Sequence, residues 1–162
     1  MTPINYAQLL QLAWPEVIVV LAALVVLAAD GLLLRSRCTR LRFAVASAIA
    51  SIGCAGAILQ LLLAHAQGNL LGGVFIANPL IQLVQIALLA LTILTLFIST
   101  DSPFTSHVGE YVLLVLFATV GMMVLVSTQD LLVIFLSLER LSLSLYSLTA
   151  FDKRSPYSAE AA

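Results

Sequence analysis

Five long apolar segments occupy most of the sequence and leave only short connections between them. Each segment is long enough to cross a hydrocarbon layer of roughly 30 Å at a helical rise of about 1.5 Å per residue. Because lipid offers no hydrogen-bond partners, the backbone of so few spans must pair its N–H and C=O groups within helices. We therefore predict an all-α fold, a polytopic bundle of about five transmembrane helices. The predicted spans are Trp14 to Leu34, Leu41 to Ala64, Asn78 to Ser99, Tyr111 to Thr128 and Leu131 to Phe151.

The composition is that of a chain in contact with lipid. Of its 162 residues, 62% are hydrophobic and 9% are charged, whereas about a quarter of the residues of a soluble domain are charged. The mean hydropathy is +1.12. The net charge of -1 offers no basic footprint for nucleic acid. We expect the lipid bilayer as a partner, expect no nucleic acid, and exclude a self-sufficient soluble enzyme.

The basic residues predict the orientation of the helices. Lys and Arg are enriched in cytoplasmic loops near the ends of spans, and here they cluster after the first span and after the fifth, which lie on one side of a five-span chain. The N terminus is therefore expected to face outward. No basic residue precedes Arg35, so the first segment is expected to be a retained helix and not a signal peptide. The clustered residues are Arg35, Arg37, Arg40, Arg42, Lys153 and Arg154.

Small residues in the second span predict close helix packing. Such residues let two helix backbones approach each other in lipid. Cys38 and Cys54 are too far apart in sequence and too different in setting to indicate a metal site, and we interpret them as packing or incidental residues. Trp14 is placed as an interfacial anchor of the first helix. The small residues are Ser47, Ser51, Gly53, Gly56 and Ala57.

Glu139 is the residue in the sequence with the clearest functional implication. It lies about 12 Å into a helix of roughly 30 Å, near the middle of the membrane. Carboxylates at that depth are costly and commonly mark ion or proton pathways. Ser142 and Tyr146 follow at helical spacing on the same face, where hydroxyl groups could hold water or pass a proton. The alternative is that all three side chains only bond to neighbouring helices.

Arg140 lies beside Glu139 but points along a different face, since adjacent helical residues are about 100° apart. Ser137, Ser144 and Ser147 lie near that second face, but hydroxyl groups alone do not neutralise a guanidinium. An acid from another helix or another subunit would do so. The alternatives are a local distortion of the bilayer, or a cation tolerated without a role.

The remaining charged residues near span ends have simpler interpretations. Glu16 and Glu110 open the first and fourth helices, where free N–H groups favour a carboxylate, so helix capping is expected for both. Asp30 lies near the arginine-rich connection and is expected to form an interfacial ion pair. His65 and His107 are expected to be interfacial residues without a metal. We find no self-contained active site in the sequence.

The last third of the chain resembles a known family. The segments HVGEY from His107, LFATVGMM from Leu116 and DLLVIFLSLERLSLSLY from Asp130 are similar to the fourth and fifth helices of the NADH-quinone oxidoreductase subunit N family, also called subunit 2. The opening Pro15-Glu16 is similar to the start of that family. The likeness is weaker over the first three helices.

The resemblance implies an antiporter-like membrane subunit of respiratory complex I, in which quinone reduction elsewhere drives proton movement. Glu139 would be the charge-switching residue of the proton channel, together with a lysine on a later helix, and Glu110 would be a secondary polar site near the inner surface. It also implies that other membrane subunits are the partners. NADH and quinone would be bound by those other subunits, with no cofactor on this chain. The location would be a bacterial inner membrane or an organelle inner membrane.

The sequence departs from the family in two respects. Members usually have an uncharged residue in place of Arg140, and a permanent cation there could hold Glu139 ionised. Members also have many more helices, including the one with the lysine, so we expect a truncated or split product, or a sequence recorded short of its true end. Residues 1–106 would form three N-terminal helices, and residues 107–162 would begin the antiporter-like repeat.

Two other functions stay open. One is a membrane subunit of a multisubunit cation/proton antiporter, which shares the fold and the glutamate. Co-purification with redox subunits or with antiporter subunits separates these two. The other is a structural or assembly protein that moves nothing, for which the missing lysine helix is the main argument. Whether the chain counts as an enzyme is therefore left open.

Overall fold

The computed structural model describes residues 13–32, 39–63, 68–70, 75–100 and 107–149. All five helices in these ranges are long and apolar enough to cross a membrane, by length and composition. The predicted all-α bundle is therefore confirmed. The helices are α1 (Trp14–Leu32), α2 (Thr39–Leu63), α3 (Pro79–Ser99), α4 (Val108–Val126) and α5 (Leu131–Thr149).

Three predicted helix ends, Trp14, Ser99 and Leu131, are observed, and the others differ from the observed ends by one to three residues. We used charged residues as boundaries, but α2 and α4 accommodate Arg40 and Glu110 within their first turns. Pro79 is the first residue of α3, where its missing N–H is not needed, and the preceding Asn78 is extended. The predicted ends at positions 33–34, 64 and 150–151 lie outside the described residues.

The connection between α2 and α3 contains a short β-hairpin that we did not predict. Strands β1 (Gly68–Leu70) and β2 (Phe75–Ala77) pair antiparallel, with Gly68 opposite Ala77. The backbone N–H of Ile76 donates to the carbonyl oxygen of Ser127 at 2.8 Å. The hairpin is thus hydrogen-bonded to the link between α4 and α5. It adds two short strands to the helical fold without changing the fold class.

Successive helices run in opposite directions. We call the end at which α1, α3 and α5 begin the upper end, and the end at which α2 and α4 begin the lower end. At the upper end, the Gln82 amide of α3 donates to the Leu61 carbonyl near the end of α2. At the lower end, Arg42 near the start of α2 contacts Asp30 near the end of α1. Both contacts fit the antiparallel arrangement that short links require.

Helix α4 lies at the centre of the bundle, whereas α5 lies at its edge. α4 packs against all four other helices, and the main contact of α5 is with α4. Half of the most apolar part of α4 is buried (50%), against 11% for α5. Leu116, Val120 and Met123 of α4 are fully buried in the apolar core. Most of the surface of α5 therefore faces away from the described helices.

Helices α1 and α2 approach closely where two small residues meet. A Cβ placed on Gly53 would lie 2.3 Å from the Cβ of Ala22, so the contact leaves no room for a side chain. Ser47, Cys54 and Ala57 are buried on the same helix. The predicted packing role of the small residues is confirmed for this contact, and Cys54 is a buried packing residue. Cys38 lies outside the described residues.

Polar side chains recur every seven residues along the contact between α3 and α4. Gln85, Thr92 and Ser99 occupy this spacing on α3, with the buried Leu89 and Leu96 between them. A repeat of seven keeps side chains on one face of a helix. Each of the three contacts a group on α4. Gln85 Nε2 lies 3.4 Å from the Met123 carbonyl oxygen. The Thr92 hydroxyl lies 2.8 Å from that of Thr119, and the Ser99 hydroxyl lies 2.9 Å from that of Tyr111.

Candidate functional site

Glu139 lies in the middle of α5 on the side that faces away from α4. It is the ninth residue of a 19-residue helix, which places it about 12 Å from the first residue of α5. Its side chain is exposed, whereas the buried residues of α5 are Ser137 and Ser144. The predicted position in the middle of the helix is therefore observed, and the carboxylate points away from the bundle.

Ser142 and Tyr146 share this exposed side of α5 with Glu139. Both are exposed, and Tyr146 has 61% of its surface accessible. The three residues thus lie together on one face, which we call the open face of α5. The predicted polar seam does not point into these five helices, because α5 packs mainly against α4 and leaves this face uncovered by the described residues.

Arg140 contacts an aromatic ring of α4. Its guanidinium carbon lies 4.6 Å from the centroid of the Phe117 ring, a distance at which the ring quadrupole attracts a cation. The predicted hydroxyl neighbours are engaged elsewhere, since Ser137, Ser144 and Ser147 donate to backbone carbonyls four residues earlier. Within the described part of the chain, neither ion pair involves Arg140.

Glu110 lies in the first turn of α4 at the lower end of the bundle. Its side chain is 61% exposed, and one carboxylate oxygen lies 3.5 Å from Nδ1 of His107. The expected position at the start of the fourth helix is confirmed. The structure gives no contact between Glu110 and the open face of α5, so the two acids predicted for a proton pathway are separate features of the described bundle.

Asp30 joins three helices at the lower end. Its carboxylate accepts from Arg42 Nε at 2.8 Å and from Arg42 Nη2 at 2.6 Å. The predicted interfacial ion pair is therefore confirmed. Asp30 also accepts from the backbone N–H of Gly109 at 3.0 Å, which satisfies a free donor at the start of α4. This contact was not predicted, since it depends on which helices are neighbours.

Glu16 is in the first turn of α1, as predicted, and its side chain is buried. Only 5% of its surface is accessible. Its Oε1 accepts from Nε2 of Gln85 at 2.9 Å. We did not single out Gln85 in the sequence. Its seven-residue spacing from Thr92, inside an otherwise apolar span, is the signal that could have identified it.

Other residues with predicted roles lie at span ends or outside the described residues. Trp14, at the start of α1, is 39% exposed, which suits an interfacial anchor. His107 immediately precedes α4. The residues outside the described ranges are Arg35, Arg37, His65, Lys153 and Arg154.

Comparison with known proteins gives related sequences along the whole chain. It is 43% identical to NADH-quinone oxidoreductase subunit N 2 of Acidobacterium capsulatum over 171 aligned positions, covering 100% of the chain and 34% of that protein. It is 38% identical to NAD(P)H-quinone oxidoreductase subunit 2 of Trichodesmium erythraeum over 152 positions, covering 91% of the chain and 28% of that protein.

A third relative is NADH-quinone oxidoreductase subunit N 2 of Rhizobium meliloti, 35% identical over 150 positions, covering 91% of the chain and 30% of that protein. The chain thus spans about a third of the length of the curated relatives it matches. No protein-family model matches the sequence.

Proposed function

Because the chain belongs to the NADH-quinone oxidoreductase subunit N family, also called subunit 2, we propose that it forms part of a membrane subunit that moves protons while quinone is reduced elsewhere in the complex. Five helices able to span a membrane support this proposal. The observation that carries it is the position of Glu139, a carboxylate at mid-span on a helix face that the described bundle leaves open.

In this proposal Glu139 binds and releases the transported proton. The open face of α5 is covered by helices that are not part of the described bundle, one of which supplies the lysine partner implied by the family. Ser142 and Tyr146 supply hydroxyl groups on the same face, which can hold water or pass a proton. Glu110 is the secondary polar site at the lower end, where its exposed carboxylate can exchange protons with water.

The position of Arg140 supports this role for Glu139. A permanent cation paired with Glu139 would hold that carboxylate ionised. The Arg140 guanidinium lies against the Phe117 ring of α4, whereas Glu139 is on the exposed side of α5. The two ion pairs of the described residues include neither side chain. Arg140 is therefore compatible with proton exchange at Glu139.

The proposed setting is a bacterial inner membrane or an organelle inner membrane, with several membrane passes. The arginine-rich connection between α1 and α2 would lie on the cytoplasmic or matrix side, which places the N terminus and the upper end outward. The partners are lipid and the other membrane subunits of the complex. NADH and quinone would bind to other subunits.

The test replaces Glu139 with Gln in the complete complex and measures NADH-driven proton uptake together with NADH oxidation. We expect oxidation to continue and the number of protons moved per NADH to fall. Ser147→Ala is the control, because Ser147 is exposed on the same helix and bonds only to the Leu143 carbonyl in the described structure. An unchanged proton-to-electron ratio in Glu139→Gln would remove Glu139 from the mechanism.

A non-transporting role of residues 1–162 alone is the second candidate, because Glu139, Ser142 and Tyr146 are exposed in the described bundle. We expect these residues, placed by themselves in vesicles, to give no proton flux. A flux that is lost on Glu139→Gln would contradict this expectation. Co-purification with antiporter subunits in place of redox subunits would instead favour the antiporter assignment.

A further inference from the structure

A buried polar cluster lies at the upper end of the bundle, away from the open face of α5. Glu16 of α1 is 5% exposed and Gln85 of α3 is 6% exposed. Nε2 of Gln85 donates to Glu16 Oε1 at 2.9 Å and to the Met123 carbonyl of α4 at 3.4 Å. Three helices thus meet around one carboxyl group that the proposed transport pathway does not use.

The second oxygen of this carboxyl group has no hydrogen-bond partner among the described residues. Oε2 of Glu16 is buried and accepts from none of the described residues. A carboxylate distributes its charge over both oxygens, and a buried carboxylate with one oxygen unpaired and no neighbouring cation is strongly unfavourable. A neutral carboxylic acid in the same place costs far less, because Oε1 still accepts from Gln85 and Oε2 carries a hydrogen.

No described cation faces Glu16 from the helices packed around it. α3 has no ionisable side chain. Asp130, in the link at the upper end, has Oδ1 engaged by the backbone N–H groups of Leu132 and Val133. The ionisable or charged side chains near the ends of α1, α2 and α4 lie at the lower end, namely Asp30, Arg40, Arg42, His107, Glu110 and Tyr111.

A metal ion suits this cluster less well than a proton does. Hard cations need several oxygen ligands around one position. Here the Gln85 amide group directs its N–H donors at both nearby oxygens, on Glu16 and on Met123, and so occupies the space between them. The unpaired Oε2 of Glu16 is therefore better satisfied by one bound proton than by a metal ion.

We propose that Glu16 is a second proton-binding site, protonated on Oε2 at neutral pH and able to exchange that proton with water at the upper end. Exchange has a short route, since Glu16 lies in the first turn of α1, within about 5 Å of its first residue. If the proposed function holds, Glu16 exchanges protons at the end of the bundle opposite Glu110. That placement in the pathway rests on the proposed function, whereas protonation of Glu16 does not.

The link between α4 and α5 lies at the same end of the bundle. Ser127 and Thr128 are buried, and Ser127 is one turn beyond Met123. The hairpin donates to the Ser127 carbonyl through Ile76 at 2.8 Å. The link is therefore held in place at the end of the bundle where Glu16 lies.

The test records infrared spectra of the complete complex in lipid vesicles at neutral pH, for the wild type and for Glu16→Gln. We expect the wild type to show a protonated-carboxyl C=O band that Glu16→Gln loses and that shifts when H₂O is replaced by D₂O. Asp130→Asn is the matched control at the same end. Its Oδ1 caps α5, and its removal is expected to leave the protonated-carboxyl band unchanged.

Two results would overturn the proposal. Loss of carboxylate bands in Glu16→Gln would mean that Glu16 is ionised, and a protonated band that does not shift in D₂O would mean that its proton does not exchange. If Glu16→Gln prevents assembly, Gln85→Leu gives the same information, because removal of the donor to Oε1 should shift the C=O band to higher frequency. These readouts do not depend on the pumping assay of Glu139→Gln, so each proposal can fail separately.

Discussion

The guanidinium of Arg42 binds the carboxylate of Asp30 at two points, with Nε 2.8 Å from Oδ1 and Nη2 2.6 Å from Oδ2. Paired N–H donors of arginine match the two oxygens of a carboxylate, which gives both strength and fixed geometry. The same Oδ2 accepts from the backbone of Gly109. One carboxylate therefore fixes the relative positions of α1, α2 and α4 at the lower end.

Replacing Arg42 with Gln should lower the free energy of unfolding by about 1 to 3 kcal/mol, because the pair is largely buried and Asp30 would lose both charged contacts. The measurement is reversible unfolding in mixed detergent micelles. Arg40→Gln is the control. Arg40 is exposed, and its substitution removes the same charge from the same turn of the helix. Equal effects of the two substitutions would show that net charge matters here, and not the pair.

Replacing Gly109 with Ala should lower the free energy of unfolding by about 1 to 3 kcal/mol. The new Cβ would lie 2.7 Å from the Cβ of Asp30, so α4 would have to move away and lengthen the Gly109 contact. Gly31→Ala is the control on the neighbouring helix, because nothing lies within 4 Å of that position. It should be neutral or stabilise by up to about 1 kcal/mol. The measurement is thermal unfolding of the two variants in the same detergent. Equal stability of Gly109→Ala and Gly31→Ala would contradict the prediction.

Moving a methyl group from Ala22 of α1 to position 53 of α2 tests the close contact between these two helices. Gly53→Ala should lower the unfolding free energy by about 1 to 3 kcal/mol, since its Cβ would overlap the Cβ of Ala22. The double variant Ala22→Gly with Gly53→Ala should recover part of that loss, because only one methyl group then occupies the contact. Gly56→Ala, whose nearest neighbour is Ile18 at 4.0 Å, should have little effect. No recovery in the double variant would argue against the observed packing.

The contact between Arg140 and Phe117 should show a coupling free energy of about 0.5 to 2 kcal/mol in a double-mutant cycle with Arg140→Met and Phe117→Leu. The ring attracts the cation only while both groups are present, so the two substitutions should not be additive. Phe135→Leu replaces an exposed aromatic residue of α5 and serves as the control. Additive effects of Arg140→Met and Phe117→Leu would mean that the guanidinium does not rest on this ring.

The features that were predicted from the sequence are those set by local pattern. Apolar length defined the five spans, and Asp30 was matched to the basic residues because both lie at the same end of neighbouring helices. Small residues marked the contact at Gly53. Helical spacing placed Glu139 and Tyr146 on one face, although it could not show which way that face points.

The features that were missed depend on neighbours distant in sequence. Gln85 meets Glu16 across 69 positions, and Asp30 meets Gly109 across 79. A helical pattern gives the faces of one helix but not which helices lie beside it, so neither contact could be derived from spacing. The hairpin is different, because its strands pair residues only five to nine positions apart, and it was missed because this segment was interpreted only as a connection.

The seven-residue spacing of Gln85, Thr92 and Ser99 limits how this part of the molecule can move. Sliding α3 along α4 by one turn, about 5.4 Å, would separate all three polar contacts at once. The serine hydroxyls of α5 bond to its own backbone, so tilting α5 on its link breaks none of these contacts. A rearrangement that tilts α5, the helix that bears Glu139, would therefore keep the three polar contacts of α3 and change the Arg140–Phe117 contact instead.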